Sequence, residues 1–179
     1  MATGSACASA GGGGGGEQAA GNTPAGETGG GEAPVITYVD PKFHYKVDAP
    51  GLMKANADGT ASVASPSERL DIAVVQGAKA SDPATLAHDD VTSLPGSITS
   101  FHLVSGPTAI TLNGKKVHKI VYSFNAGSSA VTGKPLDLVG VRYYIPKDSS
   151  TVAVLNYAIV TNQYDPEGAD DLARTFQWQ

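Results

Sequence analysis

The sequence predicts an α+β domain in which two helices cover a curved antiparallel sheet. Three observations carry this. Short apolar/polar alternations recur between Phe43 and Val160, divided by strong turn signals. Asp-Pro occurs at Asp82-Pro83 and again at Asp165-Pro166, each time ahead of an apolar stripe with helical spacing. The strands come in two groups, with one helix between them and one at the end, which is the order of an α+β chain.

The elements follow in turn. Phe43, Tyr45 and Val47 alternate with His44, Lys46 and Asp48, the pattern of a half-buried strand that ends at Pro50-Gly51. Asp58-Gly59 is a hairpin signal, with Ala61 to Ala64 returning. Leu70, Ile72 and Val74 form a further strand. Leu86, Ala87, Val91 and Leu94 share one helical face, stopped by Pro95-Gly96. Phe101–Ser105 and Ala109–Leu112 are extended. Asn113-Gly114 is the strongest turn in the chain, because both residues tolerate the positive φ that a tight hairpin requires. Val117–Phe124 returns antiparallel. Residues 126–136 are polar and Gly-rich and read as a long loop. Leu138–Ile145 is a strand bounded by Pro146, and Val152–Val160 pairs back through Lys147–Ser150. In the last segment Ala169, Leu172, Ala173 and Phe176 fall at i, i+3, i+4 and i+7. Glu167, Asp170 and Asp171 in the first turns of that helix and Arg174 in its last turn all suit the helix dipole.

The first 34 residues are a different material. Of the 22 glycines, 12 lie in residues 1–35, which contain no Lys or Arg and three acids: Glu17, Glu27 and Glu32. Such a stretch buries too little apolar surface to offset its ordering entropy, so it reads as a disordered, flexible tether. The domain is expected over residues 35–179. The whole chain has 12 Lys+Arg against 17 Asp+Glu, a net charge of −5. That balance disfavours nucleic acid, which needs a concentrated basic surface. No apolar run approaches the length of a membrane span. One cysteine excludes an internal disulfide framework.

That cysteine, Cys7, lies in Gly4-Ser5-Ala6-Cys7-Ala8-Ser9. Small residues before a lone cysteine, a Gly-rich spacer and then a domain resemble the processed end of a bacterial lipoprotein. In that class the cysteine carries the lipid, which supplies membrane affinity that an acidic body lacks. Six residues precede Cys7 and include no apolar signal segment. Gly4 stands where the class usually has a large aliphatic residue.

The opening Phe43-His44-Tyr45-Lys46-Val47-Asp48-Ala49-Pro50-Gly51 and the ending Asp165–Trp178, with Thr175-Phe176 closing the helix, resemble the PsbP-like family. That family includes the extrinsic protein of photosystem II and bacterial lipoprotein relatives such as LpqN. Leu52 replaces the tryptophan often found after Pro-Gly. The resemblance implies an α/β/α sandwich with a central antiparallel sheet. It also implies a non-enzymatic, extracytoplasmic binding or assembly role.

The residues themselves show little chemistry. Gly127–Lys134 lacks phosphate-loop spacing, and Pro135 stands where a Ser or Thr is needed. Of the four histidines, His44 and His88 read as solvent-facing. His102 and His118 could meet across the Asn113-Gly114 hairpin near Asp71 or Asp137, giving an alternative reading as a small hydrolase or metal-binding protein. Asp89-Asp90 and Asp170-Asp171 are adjacent on helices, point in different directions, and read as solubilising charges. Tyr143 and Tyr144 straddle one strand, so one is expected inside and one outside. Tyr144, Tyr164 and Trp178 are the expected partner contacts, together with the surface around residues 126–136.

The reading is a monomeric protein- or ligand-binding module without catalytic residues, metal or cofactor, tethered outside the cytoplasm to the cell membrane through Cys7. An assembly subunit of a membrane complex is the further alternative.

Overall fold

The computed structural model describes residues 35–80, 82–129 and 132–179. The expectations for the leader and Cys7 therefore lie outside the described residues. Strands β1 (Val35–Val39), β2 (Tyr45–Pro50), β3 (Lys54–Ala55), β4 (Ala61–Ala64) and β5 (Glu68–Gln76) lead into helix α1 (Pro83–Ser93). Strands β6 (His102–Leu112), β7 (Lys115–Ser128), β8 (Pro135–Asp148) and β9 (Thr151–Val160) follow. Helix α2 (Pro166–Thr175) and the short β10 (Gln177–Trp178) close the chain.

Seven strands form one antiparallel sheet in the order β3-β4-β5-β9-β8-β7-β6, and β1-β2-β10 form a second. Side chains alternate across the large sheet, so it has two apolar faces. On one face Val117, Val121, Val141, Tyr143 and Leu155 pack with Tyr45 and Val47 of β2 and with Ala169, Ala173 and Phe176 around α2. On the other, Ile120, Tyr122, Tyr144 and Val152 pack with Ala87 of α1 and with Leu94. The molecule is thus an α+β protein of α/β/α layering. One helix covers each face of the central sheet, and the small sheet joins the α2 layer.

Local chemistry explains the helix starts. Asp82 accepts hydrogen bonds from the Ala84 N–H at 3.0 Å and the Thr85 hydroxyl at 2.7 Å. Asp165 accepts from the N–H groups of Glu167 and Gly168, both at 3.1 Å. Each aspartate satisfies donors that the first turn leaves without a helical partner, and each is followed by proline at the first helical position. At the β6–β7 turn Asn113 and Gly114 have φ of 51° and 75°, the left-handed backbone of a tight hairpin.

Four expectations need correction. The long loop expected over residues 126–136 is shorter, because both ends of that range are strand. β7 runs to Ser128 and β8 starts at Pro135, and cross-strand pairing holds even a Gly-rich stretch extended. Pro146 does not bound β8, because the β7 ladder has already stopped at His118–Tyr144 and the β9 ladder is irregular between Pro146 and Asp148. Tyr143 and Tyr144 are both fully buried, since both sheet faces are covered. Finally, only one aspartate of each adjacent pair is a solvated charge. Asp90 turns inward to Arg142 and Tyr144, and Asp170 to Lys119 and Tyr143.

Candidate binding hollow beside the C-terminal strand

The end of α2 is tied down from two sides. The Thr175 hydroxyl donates to Leu172 O at 2.7 Å and accepts the Asp48 N–H of β2 at 3.0 Å. This is the physical work of the Thr175-Phe176 pair. Thr175 pins the helix end to β2, and the next residue drops its ring into the core. Phe176 is buried and stacks on Tyr45, ring centres 5.1 Å apart. From the other side, Asn113 Nδ2 donates to Arg174 O at 2.7 Å, fastening the β6–β7 turn to the same helix end.

These ties leave a hollow of about 200 Å³ between the β6–β7 turn and β10. Leu112, Ile145, Ala173 and Phe176 make an apolar floor; Asn113, Lys115, Gln177 and Trp178 make the walls. Trp178 stands edge-on to Tyr45 and Phe176, with ring centres 6.1 and 5.2 Å away. Its indole N–H is shielded from water and has no hydrogen-bond partner among the described residues. Lys147 Nζ lies 5.1 Å over the indole ring. A second hollow on the far side of Gln177 is lined by Thr37, Lys46, Asp48, Arg174 and Thr175. There the Thr37 hydroxyl donates to Asp48 at 2.6 Å, and Arg174 pairs with Asp171.

Of the residues expected to meet a partner, Trp178 stands in this wall. Tyr164 is half-buried against the larger core, and Asp170 and Asp165 nearby add to burial in pushing its hydroxyl pKa up. Tyr144 offers no surface: it is fully buried, its hydroxyl donates to Asp90 at 2.6 Å, and burial is the main force raising its pKa. Sequence reasoning missed Leu112, Lys115, Ile145 and Lys147. The strong Asn113-Gly114 turn marked the neighbourhood, but nothing local showed that this turn meets the end of α2.

The expected meeting of His102 and His118 does not occur. His102 lies opposite Ser123 and His118 opposite Ala109. Partners across a ladder share a face, and Ser123 is an odd number of residues from His118, so the two histidines lie on opposite faces. The hairpin register, set by the Asn113-Gly114 turn, separates them. Among the described residues no three His, Cys, Asp or Glu converge as metal ligands. No helix of the described residues is long and apolar enough to cross a membrane.

No family model and no curated protein matches the chain. Solved structures do. A protein of Bacteroides thetaiotaomicron is 8% identical with a TM-score of 0.52, covering 80% of this chain and 48% of its own. This chain therefore spans about half the length of that protein, and the likeness shows a shared fold. The Saccharomyces cerevisiae Ran-binding protein Mog1p is 9% identical with a TM-score of 0.49, covering 81% of this chain and 95% of Mog1p. LpqN of Mycobacterium tuberculosis, described as involved in cell envelope biogenesis, is 15% identical with a TM-score of 0.38, covering 82% and 83%.

Proposed function

We propose that the chain is a non-enzymatic binding module whose contact site is the hollow beside β10. The observation that carries this is a hollow of about 200 Å³ over an apolar floor at the junction of α2, β10 and the β6–β7 turn, with an indole and a lysine in its wall. Apolar pockets with a few polar groups at the rim are the usual form of a recognition site. Trp178 is the chain's one tryptophan, so its emission reports on the wall directly. Titration with short peptides carrying a central phenylalanine should give a saturable change in that emission with at least one flanking composition. No change with any of them would remove the reading.

In the same proposal residues 1–34 are a tether, residues 35–179 are the domain, and Cys7 carries a lipid that holds the module on the outer side of the cell membrane. Support comes from the small residues around Cys7 and the Gly-rich spacer after it. The precursor should partition into membranes in its host, and Cys7→Ala should move it to the soluble fraction. Equal partitioning of the two would refute the anchor.

A further inference from the structure

We infer that the hollow receives an extended acidic segment of a partner protein, laid along the open edge of β10 with one apolar side chain in the hollow. This rests on the binding reading above and names the chemistry of the partner.

The first observation is the edge. Among the described residues β10 pairs with β2 alone, at Gln177↔Lys46 and Trp178↔Tyr45, so its second side has no strand against it. The Gln179 N–H donates to His44 O at 2.7 Å, and Tyr45 O is taken by the Asp40 N–H at 2.9 Å. Backbone groups alternate along an antiparallel ladder. If Gln179 bonds toward β2, the N–H and C=O of Trp178 point the other way. Among the described residues they have no backbone partner, so they are a donor and an acceptor on the open edge of a strand whose residues line the hollow, the arrangement to which an extended peptide adds.

The second observation is size. About 200 Å³ over Leu112, Ile145, Ala173 and Phe176 suits one large apolar side chain rather than a whole domain. An added strand projects every second side chain to one face, so one residue enters the hollow while its neighbours stay at the rim.

The third observation is charge. The chain has more acids than bases, 17 against 12. Yet Lys115 lines the first hollow, Lys147 stands over its wall, and Lys46 and Arg174 line the second. Asp171 offsets Arg174, and Asp48, whose hydrogen bond from the neutral Thr37 hydroxyl leaves its charge in place, is the one acid lining either hollow, so the lysines outnumber it. Among the described residues Lys46, Lys115 and Lys147 have no ion-pair partner. Complementary potential favours acidic flanks and disfavours basic ones.

The test uses the full chain and Trp178 emission, with short peptides bearing a central phenylalanine in acidic, neutral or basic flanks. The acidic peptide should bind about tenfold or more tightly than the neutral one, and its binding should weaken as salt rises. Lys115→Glu with Lys147→Glu should reverse the order of acidic and basic peptides; both residues are exposed, and circular dichroism checks folding. Replacing the central phenylalanine by alanine, or N-methylating the backbone beside it, should weaken binding. Equal affinity for all flanks would overturn the inference while leaving the binding reading intact. Binding by no peptide would overturn both. An acidic peptide that binds equally well when N-methylated, or is matched by a single-stranded oligonucleotide, would also overturn it.

Discussion

Tyr143 and Tyr144 are neighbours in β8, yet their hydroxyls hold different helices. Tyr143 donates to Asp170 of α2 and Tyr144 to Asp90 of α1, each at 2.6 Å. Each aspartate also takes a cation from the sheet: Lys119 at 2.5 Å for Asp170 and Arg142 at 2.7 Å for Asp90. Consecutive strand residues point to opposite faces, so one dipeptide anchors both outer layers.

Removing either hydroxyl leaves a carboxylate with one partner fewer. Tyr143→Phe and Tyr144→Phe should each cost about 1.5–3 kcal/mol, as hydrogen bonds to charged groups do. The two sites share no partner, so the double variant should equal the sum to within about 0.5 kcal/mol. Urea denaturation of the three variants checks this, and a large coupling energy would contradict independent anchoring.

Gly140 admits the ring of Tyr122. A Cβ at Gly140 would stand 2.7 Å from Tyr122 Oη and nearer still to its Cζ. The ring cannot retreat: it is buried between Phe101 and Phe124, and its hydroxyl donates to Asn156 across β8 at 2.8 Å. Gly140→Ala should therefore destabilise by about 1–3 kcal/mol. Combining it with Tyr122→Leu should recover part of that loss in the same melts.

Alkali should unfold the protein early. Burial pushes the hydroxyl pKa of Tyr45, Tyr122, Tyr143, Tyr144 and Tyr157 upward, and nearby carboxylates add to the rise at Tyr45, Tyr143, Tyr144 and Tyr157. In the unfolded chain tyrosine titrates near pH 10, so the folded state binds these protons more tightly. The stability they contribute is fully present below about pH 10 and is lost as pH climbs above it. Tm should hold flat up to about pH 9 and then fall, with tyrosinate absorbance rising together with unfolding rather than before it.

The start of α2 depends on Asp165, which accepts two backbone N–H groups. Asp165→Ala should cost about 1 kcal/mol and Asp165→Asn much less, because asparagine still offers the accepting oxygen. Thermal melting of the pair distinguishes loss of the cap from loss of charge.

What could be read along the chain was what neighbouring residues decide among themselves. Asp82-Pro83 and Asp165-Pro166 start helices because the cap and the bonded N–H groups lie within three residues. Asn113-Gly114 turns because two residues accept positive φ. The stripe Ala169, Leu172, Ala173 and Phe176 faces the core because helical geometry puts those positions on one side. From such elements the α+β class follows.

The site depended on contacts that no local window contains. Thr175 meets Asp48 across 127 residues, and Asn113 meets Arg174 across 61. Those two bonds bring a turn, a helix end and a two-residue strand around one apolar floor. Whether a strand is covered on one face or both is likewise settled by layers distant in sequence. For that reason Tyr144 is interior, and Asp90 and Asp170 face inward. Propensity and capping act over a few residues, whereas burial and pairing act through space, and the hollow beside Trp178 is a product of the second kind alone.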